Sequence, residues 1–266
     1  MKKVNIVKRY PLICYFFLVF IISWGGCILF GGSKFLLGQP MEIKDTMFMG
    51  LAMLAGPSLG GITLTFLTEG REGIQELFDR IKKWKVGGRW YAVLAIFPLL
   101  ILIVLILLSS VSTPDLTPTF FPIGIILGLL AGFFEETGWM GFAYPRMRSK
   151  QSFLRVCIYL GLLHALWHIV ADFLSNYYDF GGIWLPTFMS FSVFVVALRI
   201  IIAWVYENTG SVLLSQLIHG SSSGFLAAIV PMEIAGKSWF IFYTIYALVL
   251  WIVAVIIILR NNLHKR

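Results

Sequence analysis

The stretch Gly132-Phe133-Phe134-Glu135-Glu136-Thr137-Gly138-Trp139 sets two adjacent carboxylates inside an apolar run that begins near Pro122. Ile123, Ile125, Ile126, Leu127, Leu129 and Leu130 precede it, and Met140-Gly141-Phe142-Ala143 continue it. Both flanks read as lipid-soluble helix. A charged side chain at bilayer depth costs at least ~2.5–3.5 kcal/mol, so two in succession need a compensating role. An acid inside a membrane segment marks a functional site and requires partners. His164, His168 and His219, three of the four histidines in the chain, are the candidates.

The composition puts the rest of the chain in the same solvent. Of 266 residues, 59% are hydrophobic and 13% charged, against roughly 45–50% and about 25% in soluble domains. Mean hydropathy is +0.86. These values exclude an ordinary soluble domain and define an all-α polytopic membrane protein. The net charge of +8 would suit nucleic acid. The basic residues fall at membrane boundaries instead, where anionic lipid headgroups are the matching partner. No nucleic-acid motif or Gly-rich phosphate loop accompanies them. Cys14, Cys27 and Cys157 each lie inside an apolar run, so no disulfide framework is expected.

Runs of about 20 apolar residues suffice to cross the ~30 Å hydrocarbon core. Eight such runs are present, at roughly 10–31, 47–67, 90–110, 121–144, 153–172, 186–206, 211–231 and 238–259. The first is too long for a signal peptide and lacks its small-residue cleavage site, so it reads as a first transmembrane helix. Between the second and third runs, Ile74, Leu77, Phe78, Ile81 and Trp84 recur at helical spacing against Arg80, Lys82, Lys83 and Lys85. That pattern predicts either a helix lying in the interface or a plain basic connector. No internal repeat interrupts the chain, and residues 1–266 read as a single integral membrane domain.

Charge bias predicts the orientation. With eight spans, one face collects Lys2, Lys3, Lys8, Arg9, Arg71, Arg80, Lys82, Lys83, Lys85, Arg89, Arg146, Arg148, Lys150, Arg155, Arg260, Lys265 and Arg266. The other holds Lys34, Lys44 and Lys237, while Arg199 lies within the sixth span. The first face is therefore expected to be cytoplasmic, with both termini on it, in a multi-pass protein of the cell membrane.

The fifth run contains Leu162-Leu163-His164-Ala165-Leu166-Trp167-His168, and positions i and i+4 share a helix face. The seventh contains Ile218-His219-Gly220-Ser221-Ser222-Ser223, which puts His219 and Ser223 on one face. Gly220 and the serines are small, as where helices approach closely. A lone histidine in a membrane helix is ordinarily a packing residue, but three polar helices of this kind form a set. A desolvated carboxylate is a stronger base than one in water. Beside a histidine it can hold a water for attack on a carbonyl, while a second histidine and a hydroxyl donate to the oxyanion. The same ligand types suit zinc, although the H-E-x-x-H pattern of soluble zinc proteases is absent.

These residues resemble the CAAX-protease and bacteriocin-processing family of intramembrane proteases. It includes the type II CAAX prenyl endopeptidases and bacterial bacteriocin self-immunity proteins. The family's E-E-x-x-x-R motif falls on Glu135-Glu136-Thr137-Gly138-Trp139-Met140, followed by Gly141-Phe142-Ala143 and Pro145-Arg146. Its F-x-x-x-H motif falls on His164-Ala165-Leu166-Trp167-His168, with His164 at the aromatic position, and its H-x-x-x-N motif on His219 to Ser223. Arg199 and the Trp204-Val205-Tyr206-Glu207-Asn208-Thr209-Gly210-Ser211 lead are also typical. The resemblance covers about residues 121–225 and implies eight helices, in agreement with the runs counted above. It implies that Glu135 activates water with the aid of His168, that Glu136 supports or orients, and that His219 and Ser223 stabilise the oxyanion or act as ligands. His164 has no role in the pattern and is an auxiliary candidate with Arg199. A zinc ion, if one is used, would take Glu135, His168 and His219. Met140 stands where the motif has arginine, with Arg146 or Arg199 as candidates to replace that cation, and Ser223 stands where it has asparagine.

The leading expectation is an intramembrane endopeptidase that hydrolyses a membrane-associated peptide, either a prenylated CAAX-type or a leader peptide. The alternative is a non-catalytic bacteriocin self-immunity or membrane-partner protein, motivated by Met140 and Ser223. A transporter or proton relay ranks third, since matching Gly/Pro-broken halves are not apparent. Glu135 lies roughly eight residues from the basic end of its run, about 12 Å at ~1.5 Å per residue, and His219 a similar distance. The chemistry is therefore expected near the cytoplasmic side.

Overall fold

The computed structural model describes residues 6–263 apart from Ser112 and Met232, with side chains described as far as Arg260. Lys2, Lys3, Lys265 and Arg266 of the basic face lie outside the described residues. Among the described residues the chain forms eight long helices. These are α1 (Pro11–Leu36), α2 (Ile43–Ile81), α3 (Ile96–Val111), α4 (Ile123–Gly138), α5 (Phe153–Phe180), α6 (Trp184–Thr209), α7 (Val212–Ile229) and α8 (Gly236–Leu263). A 3-10 stretch, Gly88–Ala95, leads into α3, and a π turn, Trp139–Ala143, joins α4 to a short helix over Tyr144–Arg148. Among the described residues there is no strand.

Seven helical segments are long and apolar enough to cross a membrane, one of them the 57-residue span Phe153–Thr209. That span is not one rod. At Gly181 the backbone takes φ 53°, in the left-handed region that favours glycine, and the chain folds back so that Arg199 of α6 reaches His164 of α5. The bundle therefore holds eight long helices among the described residues, and the all-α polytopic expectation is borne out. Side chains such as Phe17, Leu29, Ile103, Leu127 and Leu248 are exposed around its girth, as a lipid-facing surface requires.

The segment after the second run is helical for only part of its length. α2 kinks at Gly70 (φ 70°) and then continues to Ile81. Leu77 is fully buried and packs with Ile81 and Val212 under Tyr206. Leu77 and Ile81 of the apolar stripe thus pack on the bundle, while Phe78 is 43% exposed. Trp84, beyond the helix end, is 61% exposed.

α4 packs closely against α7. Gly124, Gly128 and Gly132 recur every fourth residue along α4. A Cβ at Gly128 would overlap the backbone of Gly224, and one at Gly132 would overlap Gln216 O. Close packing of small residues substitutes for hydrophobic driving force where the solvent is lipid. It also brings the carboxylates of α4 beside His219.

Candidate active site

α4 supplies Glu135 and Glu136. Adjacent residues on a helix project about 100° apart, so the two acids enter different surroundings. Glu136 is fully buried and receives two guanidinium N–H bonds, from Arg199 Nη1 to Oε2 at 2.6 Å and Nη2 to Oε1 at 3.0 Å. His219 Nδ1 lies 2.7 Å from the same Oε1. A forked Arg–carboxylate pair is among the stronger charge-assisted contacts, and here it supplies the counter-charge for an acid inside the bundle. Of the two cations considered in place of the motif arginine, Arg199 is the one on Glu136. Arg146 pairs with Glu69 and donates to Phe142 O at 2.9 Å.

Glu135 instead borders the cavity. Its Oε2 is 2.9 Å from His164 Nε2 and 3.8 Å from His219 Nε2. Arg199 Nη2 also lies 2.9 Å from His164 Nδ1. A guanidinium only donates, so Nδ1 must accept and the proton of the neutral ring sits on Nε2, aimed at Glu135. One arginine thereby fixes Glu136 directly and Glu135 through the tautomer of His164. His168, the partner expected from the motif, lies one turn further along α5, its ring centroid 5.2 Å from that of His164. It lines the cavity with Ser223. Both histidines do share a face; the inner one meets the carboxylate.

The π turn just after the glutamates carries no sequence signature. π turns recur at functional sites because they widen the helix and release carbonyls. Here Arg80 meets that demand, donating to Gly141 O at 3.1 Å and to Tyr206 Oη at 2.9 Å. A second unforeseen group is Gln216, whose amide donates to Phe133 O and Thr137 Oγ1, both at 3.1 Å, and ties α7 to the turn that bears the acids.

Towards the basic end the site is sealed. Trp139, Met140, Phe142 and Tyr144 are at most 1% exposed. Tyr15 lies edge-on to Trp139, and beyond them Arg148 pairs with Glu207 at 3.0 Å. In the other direction a cavity of about 430 Å³ runs from Glu135, His164, His168, His219 and Ser223 past Phe191, Phe194 and Tyr243 to Phe121, Pro231 and Trp239. Glu135 and Glu136 themselves lie in the last turn of α4, on the side of the basic end. The open path leads to the end that carries Lys34 and Lys237, because the π turn and its aromatic side chains occupy the other one.

Metal binding can be tested on the donor set. The acid and imidazole atoms that converge within 4.8 Å belong to Glu135, His164 and His168, so His164 takes the place expected of His219. A metal-bound imidazole donates its second N–H to an acceptor. His164 faces a donor there, which leaves its Nε2 protonated and without a lone pair to give. His219, with Glu136 behind Nδ1, has the backing a ligand needs but stands outside the converging group. The residues do not fit a three-ligand zinc site.

The fold and site together define a polytopic helical membrane protein with a Glu–His–Arg cluster at the blind end of a cavity. Residues 98–225, which span α3 to α7 and include every residue of that cluster, match the type II CAAX prenyl endopeptidase Rce1-like family. A relative from Methanococcus maripaludis, "CAAX prenyl protease 2", is 32% identical over 105 residues. That similarity spans 38% of this chain and 38% of the relative. The family match covers just under half of the chain.

Proposed function

We propose that the chain is an intramembrane endopeptidase in which Glu135 activates the water. The observation that carries this reading is the pairing of Glu135 with His164 Nε2–H at the wall of a cavity whose other acid is already neutralised by Arg199. In the forward step Glu135 takes a proton from water as its oxygen attacks the scissile carbonyl. His168, His219 and Ser223 line the same cavity as Glu135, and the Ser223 hydroxyl, with His219 in its doubly protonated form, donates to the carbonyl oxygen. The tetrahedral intermediate then collapses, the C–N bond breaks, and the proton held by Glu135 passes to the departing amine. His164 and Arg199 are positioning residues in this scheme. No step runs through a metal, since His164 offers it no lone pair.

The substrate is a peptide at the membrane with apolar or aromatic residues beside the scissile bond, to suit Phe121, Phe191, Phe194 and Trp239. The basic end is cytoplasmic, with both termini on it, so the cavity receives its peptide from the outer face. A prenylated peptide supplies the apolar group by its lipid, and a leader peptide supplies it by side chains. The similarity to a protein named a CAAX prenyl protease supports the reaction type. Arg199 on Glu136 supports an intact site despite Met140, which weighs against the non-catalytic alternative.

The test is cleavage of a panel of lipidated and leader peptides by purified protein, with and without chelator. Wild type is expected to cleave and Glu135→Gln to lose about 10²–10⁴-fold, the range for a general base, with unchanged folding and no effect of chelator. Equal cleavage by Glu135→Gln would remove Glu135 from the chemistry. Chelator-sensitive cleavage would remove the metal-free mechanism.

A further inference from the structure

A second cavity lies at the basic end, away from the glutamates. It has a volume of about 560 Å³ and lies between the 3-10 stretch before α3, α6 and α8. Its walls are apolar, with Ile201 fully buried and Trp90 8% exposed. Trp90 and Trp204 meet edge to face, ring centroids 5.0 Å apart. At its rim stand Arg89, Arg260 and Asn208. Neither guanidinium has an ion-pair partner among the described residues; Arg89 lies over the Trp90 ring at 5.1 Å. Arg146 and Arg148 at the same end are each committed to a carboxylate. Two uncommitted guanidiniums over an apolar slot, at the level where the bundle leaves the hydrocarbon, match one ligand chemistry. That chemistry is a phosphate monoanion joined to an acyl chain.

We propose that this cavity is a binding site for one anionic phospholipid of the basic-side leaflet. The headgroup phosphate sits on Arg89 and Arg260, and an acyl chain lies along Ile201 beside the Trp90–Trp204 pair. Asn208 donates its amide N–H to Trp204 O at 2.8 Å, which leaves its carbonyl free for a headgroup hydroxyl. The site is independent of the proposed peptidase.

Native mass spectrometry of the detergent-purified protein tests this with added phosphatidylglycerol, phosphatidylcholine or glycerol phosphate. The expected result is one retained phosphatidylglycerol, held at least about tenfold more tightly than phosphatidylcholine, since each basic group near the surface attracts anionic lipid. Glycerol phosphate should not compete. The Arg89→Gln/Arg260→Gln double variant should lose the preference while keeping its melting temperature. Val253→Trp, at a half-buried wall position, should lose the bound lipid with both arginines in place. Equal retention of the two lipids, competition by glycerol phosphate alone, or an unchanged preference in either variant would overturn the site. Those outcomes would mean ordinary surface arginines amid bulk lipid.

Discussion

The interior is packed in opposite ways on the two sides of the glutamates. On the basic side of the glutamates, Arg80, Arg146 and Arg148 are engaged by a carbonyl or a carboxylate, and the π turn packs Trp139, Phe142 and Tyr144 into a seal. On the other side His168 and Ser223 line a cavity with no side-chain hydrogen bond among the described residues. The glutamates sit at the boundary, Glu136 in the sealed network and Glu135 against the open space. Satisfied polar groups hold a structure, and unsatisfied ones beside a cavity are available to a substrate.

The largest effect should come from the sealed side. Arg199→Met leaves Glu136 buried without its cation and should destabilise the protein by ~3–5 kcal/mol in a thermal or SDS titration; near-wild-type stability would mean that His219 alone balances Glu136. Next is Met140→Arg, which restores the motif residue. Because Glu136 is already held twice by Arg199, the second guanidinium finds no free acid and should cost ~2.5–3.5 kcal/mol. A gain in stability or cleavage would show instead that the motif arginine has a place here. Gly128→Leu drives a side chain into Gly224 and should cost ~1–3 kcal/mol or more, read as loss of monodisperse protein; tolerance of it would deny the close α4–α7 contact. The smallest effect on stability belongs to the open side. Ser223→Ala should lower cleavage about 10²-fold through a lost oxyanion donor, at the weak end of such effects, and leave stability unchanged.

Much of this was legible in the sequence. The eight apolar runs fall on the eight helices because length and hydropathy are enough to specify a bilayer span. Adjacent acids with histidines on other spans marked the cluster because charge is expensive there. Which histidine meets Glu135 was not legible. His164 and His168 share one face, and their depth relative to α4 is set by tertiary packing. That packing depends on Gly124, Gly128 and Gly132, whose four-residue spacing is a readable signal that an emphasis on charged residues overlooks. The π turn has no sequence signature, and without it the direction in which the cavity opens was not legible. The amphipathic pattern of residues 74–84 was real, and its Leu77 and Ile81 meet Val212 and Tyr206.

The contrast between the two ends is tested most directly by cysteine labelling at Ala227, which lines the cavity towards its open end. In sealed vesicles, a membrane-impermeant thiol reagent added to the outer face should modify Ala227→Cys and block cleavage, with wild type as the control for Cys14, Cys27 and Cys157. Block only when the reagent reaches the basic face would contradict the account, because the substrate path would then run through the end that the structure closes.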